Sequence, residues 1–425
     1  MYKIKTLDNG IRTIMQRVPY LNSITVGVII ESGSFYESKS DNGISHFIEH
    51  MLFKGTKNRS ARQIAEAIDD IGGQINAFTS KEHTCYYAKV ISEHLPIAVD
   101  VISDMLTNSC FDEYEIEKEK GVILEEISMY QDFPEDLAFE LLNEMLYGEM
   151  SLAMPILGTE ETVKSLSKDQ IIEYFYDKYD PTRMVIAAAG NLDEDDTYNL
   201  LNDRFGSFNN EKKNRGKLVP SYSYDPSPKV EGVVKDIEQM NICLGFTGPS
   251  TYSEDIFPLM VVNNILGGTM SSRLFQEIRE NLGLVYNIES SITSYNGAGM
   301  LSIYLALSAD QVHKVSRLIR KELDTLKRDY ISDAELNKSK EHLKGSYILS
   351  LESSFNKMYE MGKCLLHDQK IETPEEVMDQ INAVDMDSVK RVIDRYIEWN
   401  HLNISYVGNI KNKEVFEKEL ISIFI

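Results

Sequence analysis

The chain states one pattern twice, and that repeat limits its possible folds more than any single motif does. The strand-like NSITVGVIIESGS (22–34) precedes an amphipathic helical stretch that closes on Leu52-Phe53-Lys54-Gly55-Thr56. Later, EQMNICLGFTGPS (238–250) precedes a helical stretch that closes on Ile265-Leu266-Gly267-Gly268-Thr269. Each half also ends alike, with MVIAAAGNL (184–192) and HLNISYVGNI (401–410), so Gly190-Asn191 and Gly408-Asn409 stand 218 residues apart. One such match could be chance; matches in order at both ends of each half are not. A length of 425 residues likewise exceeds one typical core.

Each half alternates short β-branched runs with helical patterns. Tyr86–Ile91 is followed by His94–Leu106, in which Leu95, Ala98, Val99, Ile102 and Leu106 share one face. The expected architecture is α+β: two homologous domains, each a mainly antiparallel sheet with helices packed on one face. The stretch FNNEKKNRGKLVPSYSYDPSPKVEG (208–232) has linker composition, rich in Lys, Asn, Ser and Pro with no apolar period. The expected division is therefore 1–212, a linker at 213–227, and 228–425.

Charge narrows the partners. A formal net charge of -23 argues against nucleic acid and anionic membranes, which need basic surfaces; it would suit basic ligands, but an acidic surface that serves solubility alone is the plainer reading. The N-terminal MYKIKTLDNGIRTIMQRV lacks the apolar core of a secretory signal, and no run of about eighteen apolar residues occurs anywhere. Cys85, Cys110, Cys243 and Cys364 are scattered without CxxC pairing and read as free buried thiols. The expected compartment is the cytoplasm.

Chemistry concentrates at His46-Phe47-Ile48-Glu49-His50. Residues four apart lie on one helix face, so the two imidazoles stand in a geometry that zinc accepts. Glu49 lies beside the pair and could take a proton from water. The spelling is H-x-x-E-H, the reverse of the HExxH zinc helix. Two histidines at this spacing also occur on ordinary helices, so a third ligand is needed to decide. YEIEKEKGVILEEISMYQD (114–132) offers one: Glu119 and Glu126 lie two turns apart on a stripe, with Val122 and Ile123 between them on the inward side. Glu125, about a hundred degrees round the helix, points elsewhere.

HFIEH, followed by Glu126 76 residues beyond His50, resembles the pitrilysin-type (inverzincin) zinc metallopeptidases, and within them the mitochondrial-processing-peptidase-like branch of half-length chains. HFIEHMLFKGT, the helix with Glu119 and Glu126, PILGT (155–159), YDKYDPTRMVIAAAGN (176–191) and the repeat all match. The resemblance implies one zinc per chain held by His46, His50 and Glu126, with Glu49 as general base and Glu119 orienting a ligand. It implies that Asn76, Ala77 and Phe78, in GGQINAFTSKEHTCYYAKV (72–90), form an edge strand on which substrate adds itself. An ordinary edge strand is the alternative there, and His83 nearby has nothing at metal spacing. At EMSLAMPILGT (149–159) the usual His-Pro-Leu-Gly is missing, which puts substrate preference in doubt.

Aligning Thr56 with Thr269 sets His46, Glu49 and His50 against Leu259, Val262 and Asn263, so the second half keeps no metal set. It does carry RLFQEIRENLGLVYNIESS (273–291), where Arg279 and Tyr286 match the family's Arg and Tyr that serve the oxyanion. The implied activity is zinc-dependent endopeptidase cleavage of peptides or unfolded polypeptide inside a chamber. A half-length chain is expected to pair as a homodimer or as a heterodimer with a homologous chain. The alternatives are a catalytic subunit active only beside a non-catalytic homologue, and a non-catalytic scaffold. Cobalt or manganese in place of zinc stays open.

Overall fold

The computed structural model describes residues 2–208 and 227–424. Strands β1 (Tyr2–Thr6), β2 (Arg12–Arg17), β3 (Ser23–Ile30), β4 (Gln74–Thr79), β5 (Thr84–Ile91) and β6 (Met184–Gly190) form one sheet in the order β1-β2-β6-β3-β5-β4. Strands β7 (Lys229–Val234), β8 (Gln239–Thr247), β9 (Asn287–Ser294), β10 (Gly299–Ser308) and β11 (Asn403–Gly408) form the other, in the order β7-β11-β8-β10-β9. The repeat is literal at this level. The closing strands β6 and β11 each pair in parallel with an early strand on one side (β2, β7) and antiparallel with the long central strand on the other (β3, β8). All remaining pairings are antiparallel. The expected α+β repeat is what forms.

Two compact units result. The described residues of the first come from Met1–Ser128, Met154–Leu218 and Leu349–Glu372, and those of the second from Met129–Ala153, Val219–Ile348 and Thr373–Ile425. The sequence reading divides the chain once, whereas two helices lie on the far side of that division from their units: Pro134–Tyr147 belongs to the second unit and Ser354–Leu366 to the first. An apolar helix face does not say which sheet it will cover, so no local signal could place them.

These two helices also explain why the central strands are apolar throughout. In the first unit, Val26, Val28, Ile30, Tyr86, Ile186 and Ala188 face a large core that includes the helices Ile44–Leu52 and Leu95–Asn108. The alternate residues Ile29, Cys85, Val185, Ala187 and Ala189 face Met358, Met361 and Leu366 on the opposite side. Each sheet thus carries helix on both faces, one more layer than expected, and β6 (MVIAAAG) is buried along its whole length. Contact there is close: a Cβ on Gly27 would lie 2.7 Å from Met358 Sδ. In the second unit, Pro134–Tyr147 packs on β8 and β11, where Ser405 Oγ donates to the Ala138 carbonyl at 2.5 Å.

Residues 213–226 of the expected linker lie outside the described residues. Of the cysteines, Cys85 and Cys243 are buried, Cys364 is partly so, and Cys110 is exposed, contrary to the expectation for it. Cys110 lies in the connection between the helices Leu95–Asn108 and Glu113–Asp132, where its backbone N–H donates to the Gly55 carbonyl. Among the described residues no helix is long and apolar enough to cross a membrane.

Candidate metal centre

The helix Ile44–Leu52 is fixed before its histidines are considered. Ile44, Phe47, Ile48, Met51 and Leu52 are buried, leaving His46, Glu49 and His50 on the remaining face. Its N-terminus has no side-chain cap of the usual kind. Instead, the buried Glu37 accepts from Gly43 N (2.7 Å), Ser45 N (2.9 Å) and Asn42 Nδ2 (2.9 Å), filling the orphan amides of the first turn. Gly43 has φ 94°, and a Cβ there would lie 2.6 Å from the Leu157 carbonyl oxygen. Asn42 Nδ2 also donates to the Pro155 carbonyl at 2.8 Å, so the PILGT segment serves as a wall for the start of this helix. At the far end Thr56 Oγ1 donates to Asp104 Oδ2 at 2.7 Å, and Asn58 and Arg59 bind the same carboxylate.

His46, His50 and Glu126 each offer one ligand atom, all within 4.8 Å of one another. Glu126 Oε2 lies 3.6 Å from His50 Nε2 and 3.9 Å from His46 Nε2. A tetrahedral zinc about 2.0–2.2 Å from its ligands separates them by about 3.3–3.6 Å. Two imidazoles and one carboxylate at these separations fit such an ion with a small inward movement. Burial, helped by the neighbouring His50 ring, pulls His46 down to about 3, so His46 is neutral and able to ligate.

The helix Glu113–Asp132 supplies the acids. Ile116, Glu119, Ile123 and Ile127 form its buried stripe. Val122, read as inward, is instead 39% exposed; it falls a hundred degrees round from Ile123 and off that stripe. Glu126 is partly buried beside the histidines and Glu125 is exposed, as the helical phase requires. Glu119 Oε1 sits 2.8 Å from His50 Nδ1, and Oε2 lies 2.6 Å from Lys54 Nζ. Burial opposes ionisation of Glu119, but the bonds from His50 and Lys54 outweigh it and hold its carboxyl below the ordinary value. Sequence reasoning does not find Lys54, which lies past the end of the helix, beyond its C-cap Phe53, where helical phase no longer applies.

Glu49 is half-buried, and burial pushes its carboxyl up against the opposing pull of Thr79 and His50. Thr79 Oγ1 donates to Glu49 Oε2 at 2.5 Å. Thr79 ends β4, which is the sheet edge expected to hold Asn76, Ala77 and Phe78. Ser80 N bonds the His83 carbonyl at the hairpin, so alternation leaves Ala77 and Thr79 with backbone groups aimed off the sheet. In line with that, Ala77 N donates to the Asn76 side-chain oxygen at 2.9 Å rather than to a strand. His83 takes no part in the metal group: it is buried, with Nε2 2.6 Å from the Tyr359 hydroxyl.

Arg279 and Tyr286 belong to the second unit. Arg279 lies in a π-helical turn, Phe275–Asn281, a rare geometry often kept at functional sites, with its guanidinium 4.7 Å over the Phe275 ring. Tyr286 is 58% exposed. In the counterpart of the metal helix, Ile256–Leu266, Leu259 and Val262 are buried core and Asn263 Oδ1 accepts from Ser290 Oγ at 2.7 Å.

Residues 12–160 match the family described as insulinase (peptidase family M16), and residues 165–343 match the peptidase M16 inactive domain. The chain is 47% identical to the uncharacterized zinc protease YmxG of Bacillus subtilis, over 92% of this chain and 94% of that protein. It is 36% identical to an uncharacterized zinc protease of Streptomyces coelicolor, over 96% of this chain and 90% of that protein. The fold is that of a crystal structure of a protease from Helicobacter pylori, with TM-score 0.90, 21% identity and coverage of 96% of this chain and 99% of that one. These matches run in chain order over both repeats, and the chain belongs to peptidase family M16, the insulinase and pitrilysin type, in its half-length form.

Proposed function

We propose that this chain is a zinc-dependent endopeptidase acting on peptides or unfolded polypeptide, with one zinc per chain held by His46, His50 and Glu126. The observation that carries the reading is the convergence of these three ligand atoms within 4.8 Å, two of them on the helix that also presents Glu49 and the third on the helix Glu113–Asp132. A bound zinc ion would lower the pKa of a water molecule and polarise the scissile carbonyl. Glu49 takes the proton from the attacking water and returns it to the leaving amine. Glu119 keeps the His50 ring in the tautomer that leaves Nε2 free for the metal. The substrate lies as an added strand along Asn76–Phe78, where the Ala77 backbone faces off the sheet and its N–H would exchange the Asn76 side chain for the peptide. Arg279 and Tyr286 take the oxyanion role, a cation and a phenol donor suited to developing negative charge.

The same reading extends to a chamber enclosing the substrate, to pairing with a second homologous chain, and to a cytoplasmic site of action. The net charge of -23 suits substrates bearing Lys or Arg. The test is to incubate the purified chain with a peptide library, with and without chelator, and to read cut sites by mass spectrometry. Chelator-sensitive cuts are expected; Glu49→Gln should keep zinc and abolish them, and His50→Ala should lose both. Zinc-free protein without cleavage would establish the scaffold alternative, and activity appearing only with a homologous partner would establish the subunit alternative.

A further inference from the structure

We infer that Thr79 is the positioning residue for Glu49, anchoring the base through its side chain while its backbone lies on the edge that receives substrate. The inference rests on the peptidase reading above.

Glu49 has two carboxylate oxygens in different situations. Oε2 accepts from Thr79 Oγ1 at 2.5 Å, whereas no group among the described residues hydrogen-bonds Oε1. One oxygen is therefore fixed and the other is left for water. A glutamate has three side-chain torsions, and an unanchored carboxylate would spend much of its time misdirected.

The direction of the Thr79 hydroxyl is itself determined. Thr79 and Thr84 stand opposite each other at the end of the β4–β5 hairpin, with their hydroxyl oxygens 3.3 Å apart. Thr84 is fully buried and commits its proton to the Ser32 carbonyl at 2.8 Å. It can then only accept from Thr79, and at 3.3 Å it is the weaker acceptor beside a carboxylate at 2.5 Å. The Thr79 proton points at Glu49.

The backbone of the same residue has a second task. Thr79 and Ala77 occupy the positions of β4 whose N–H and C=O groups face away from β5. A peptide pairing with that edge meets the backbone of the residue that aims the base. Register on the edge and orientation of Glu49 are thus set by one short segment, Ala77–Thr79, and not by separate elements.

Thr79→Val keeps the shape and removes the hydroxyl; Thr79→Ser keeps the hydroxyl. The expected result is a kcat for Thr79→Val about 10- to 100-fold below wild type, with KM and zinc content within about twofold. Thr79→Ser should recover to within about threefold of wild type. The crystal structure of Thr79→Val should show the Glu49 carboxylate displaced. If Thr79→Val does not fold, Thr79→Ala carries the same comparison. An unchanged kcat, a Ser variant as slow as Val, or zinc lost in step with activity would each overturn the inference alone. A wild-type chain that holds zinc yet cleaves nothing, alone or beside a homologous partner, would instead overturn the peptidase reading and this inference with it.

Discussion

Glu119 grips His50 by Nδ1, at 2.8 Å, which is the nitrogen that faces away from Glu126. The bond fixes the proton on Nδ1 and leaves the Nε2 lone pair for a metal. His46 has no such brace; its buried Nδ1 meets no hydrogen-bond partner among the described residues. The two histidines are therefore unequal, and the site leans on Glu119 to keep at least one of them ready.

Replacing Glu119 by Gln removes the charge that steadies the His50 proton and leaves Lys54 without its counter-ion. Zinc affinity should fall about 10- to 100-fold while the three ligands stay in place. Competition against a chromogenic chelator reads this directly. Affinity equal to wild type would mean that the His50–Glu119 bond does not set the ring.

Glu126 and its neighbour separate the metal role from mere acidity. Glu125 is exposed and outside the ligand group, so Glu125→Gln should hold zinc as wild type does. Glu126→Gln should release it, because the amide is a poor ligand and one of three donors is lost. Zinc loss in the Glu125 variant instead would show that the helix binds in a different phase.

Helical phase made the placing of this site readable from the sequence: His46, Glu49 and His50 share one face and Glu119 and Glu126 one stripe, and the family resemblance supplied the roles of the set. The groups around them are not of that kind. Glu37 caps the metal helix from a preceding loop, Thr79 reaches Glu49 from thirty residues away, and Asp104 ties down Thr56 from another helix. Such contacts depend on how loops close over the sheet, and no period encodes that. For the same reason the repeat foretold both sheets, whereas the helices Pro134–Tyr147 and Ser354–Leu366 could be recognised as helices but not assigned to a face.

Gly43 tests how firmly the metal helix is seated. Alanine at φ 94° costs about 1–2 kcal/mol in backbone strain alone. The added Cβ would also press on the Leu157 carbonyl oxygen, which cannot yield without moving the PILGT segment. Gly43→Ala should lose at least about 2 kcal/mol in urea denaturation and bind zinc more weakly, since the first turn carries His46. Unaltered stability would show that the loop adapts.

His83 gives the fold a pH dependence whose sign can be worked out. Burial, with smaller contributions from His367 and Lys363, pulls its folded pKa down to about 3, against about 6.5 in an unfolded chain. Between these values the unfolded chain binds a proton that the folded chain refuses, so stability falls as pH is lowered through that window. From pH 7.5 to 5.5 the loss attributable to His83 is about 1.4 kcal/mol. His83→Gln keeps a polar partner for the Tyr359 hydroxyl and removes the titration. Denaturation of both proteins at the two pH values, with chelator present throughout, should show the variant losing about 1.4 kcal/mol less than wild type over the same interval. Equal losses would mean that His83 accepts its proton inside the fold, and that the aromatic pocket formed by Phe78 and Tyr359 is open to water.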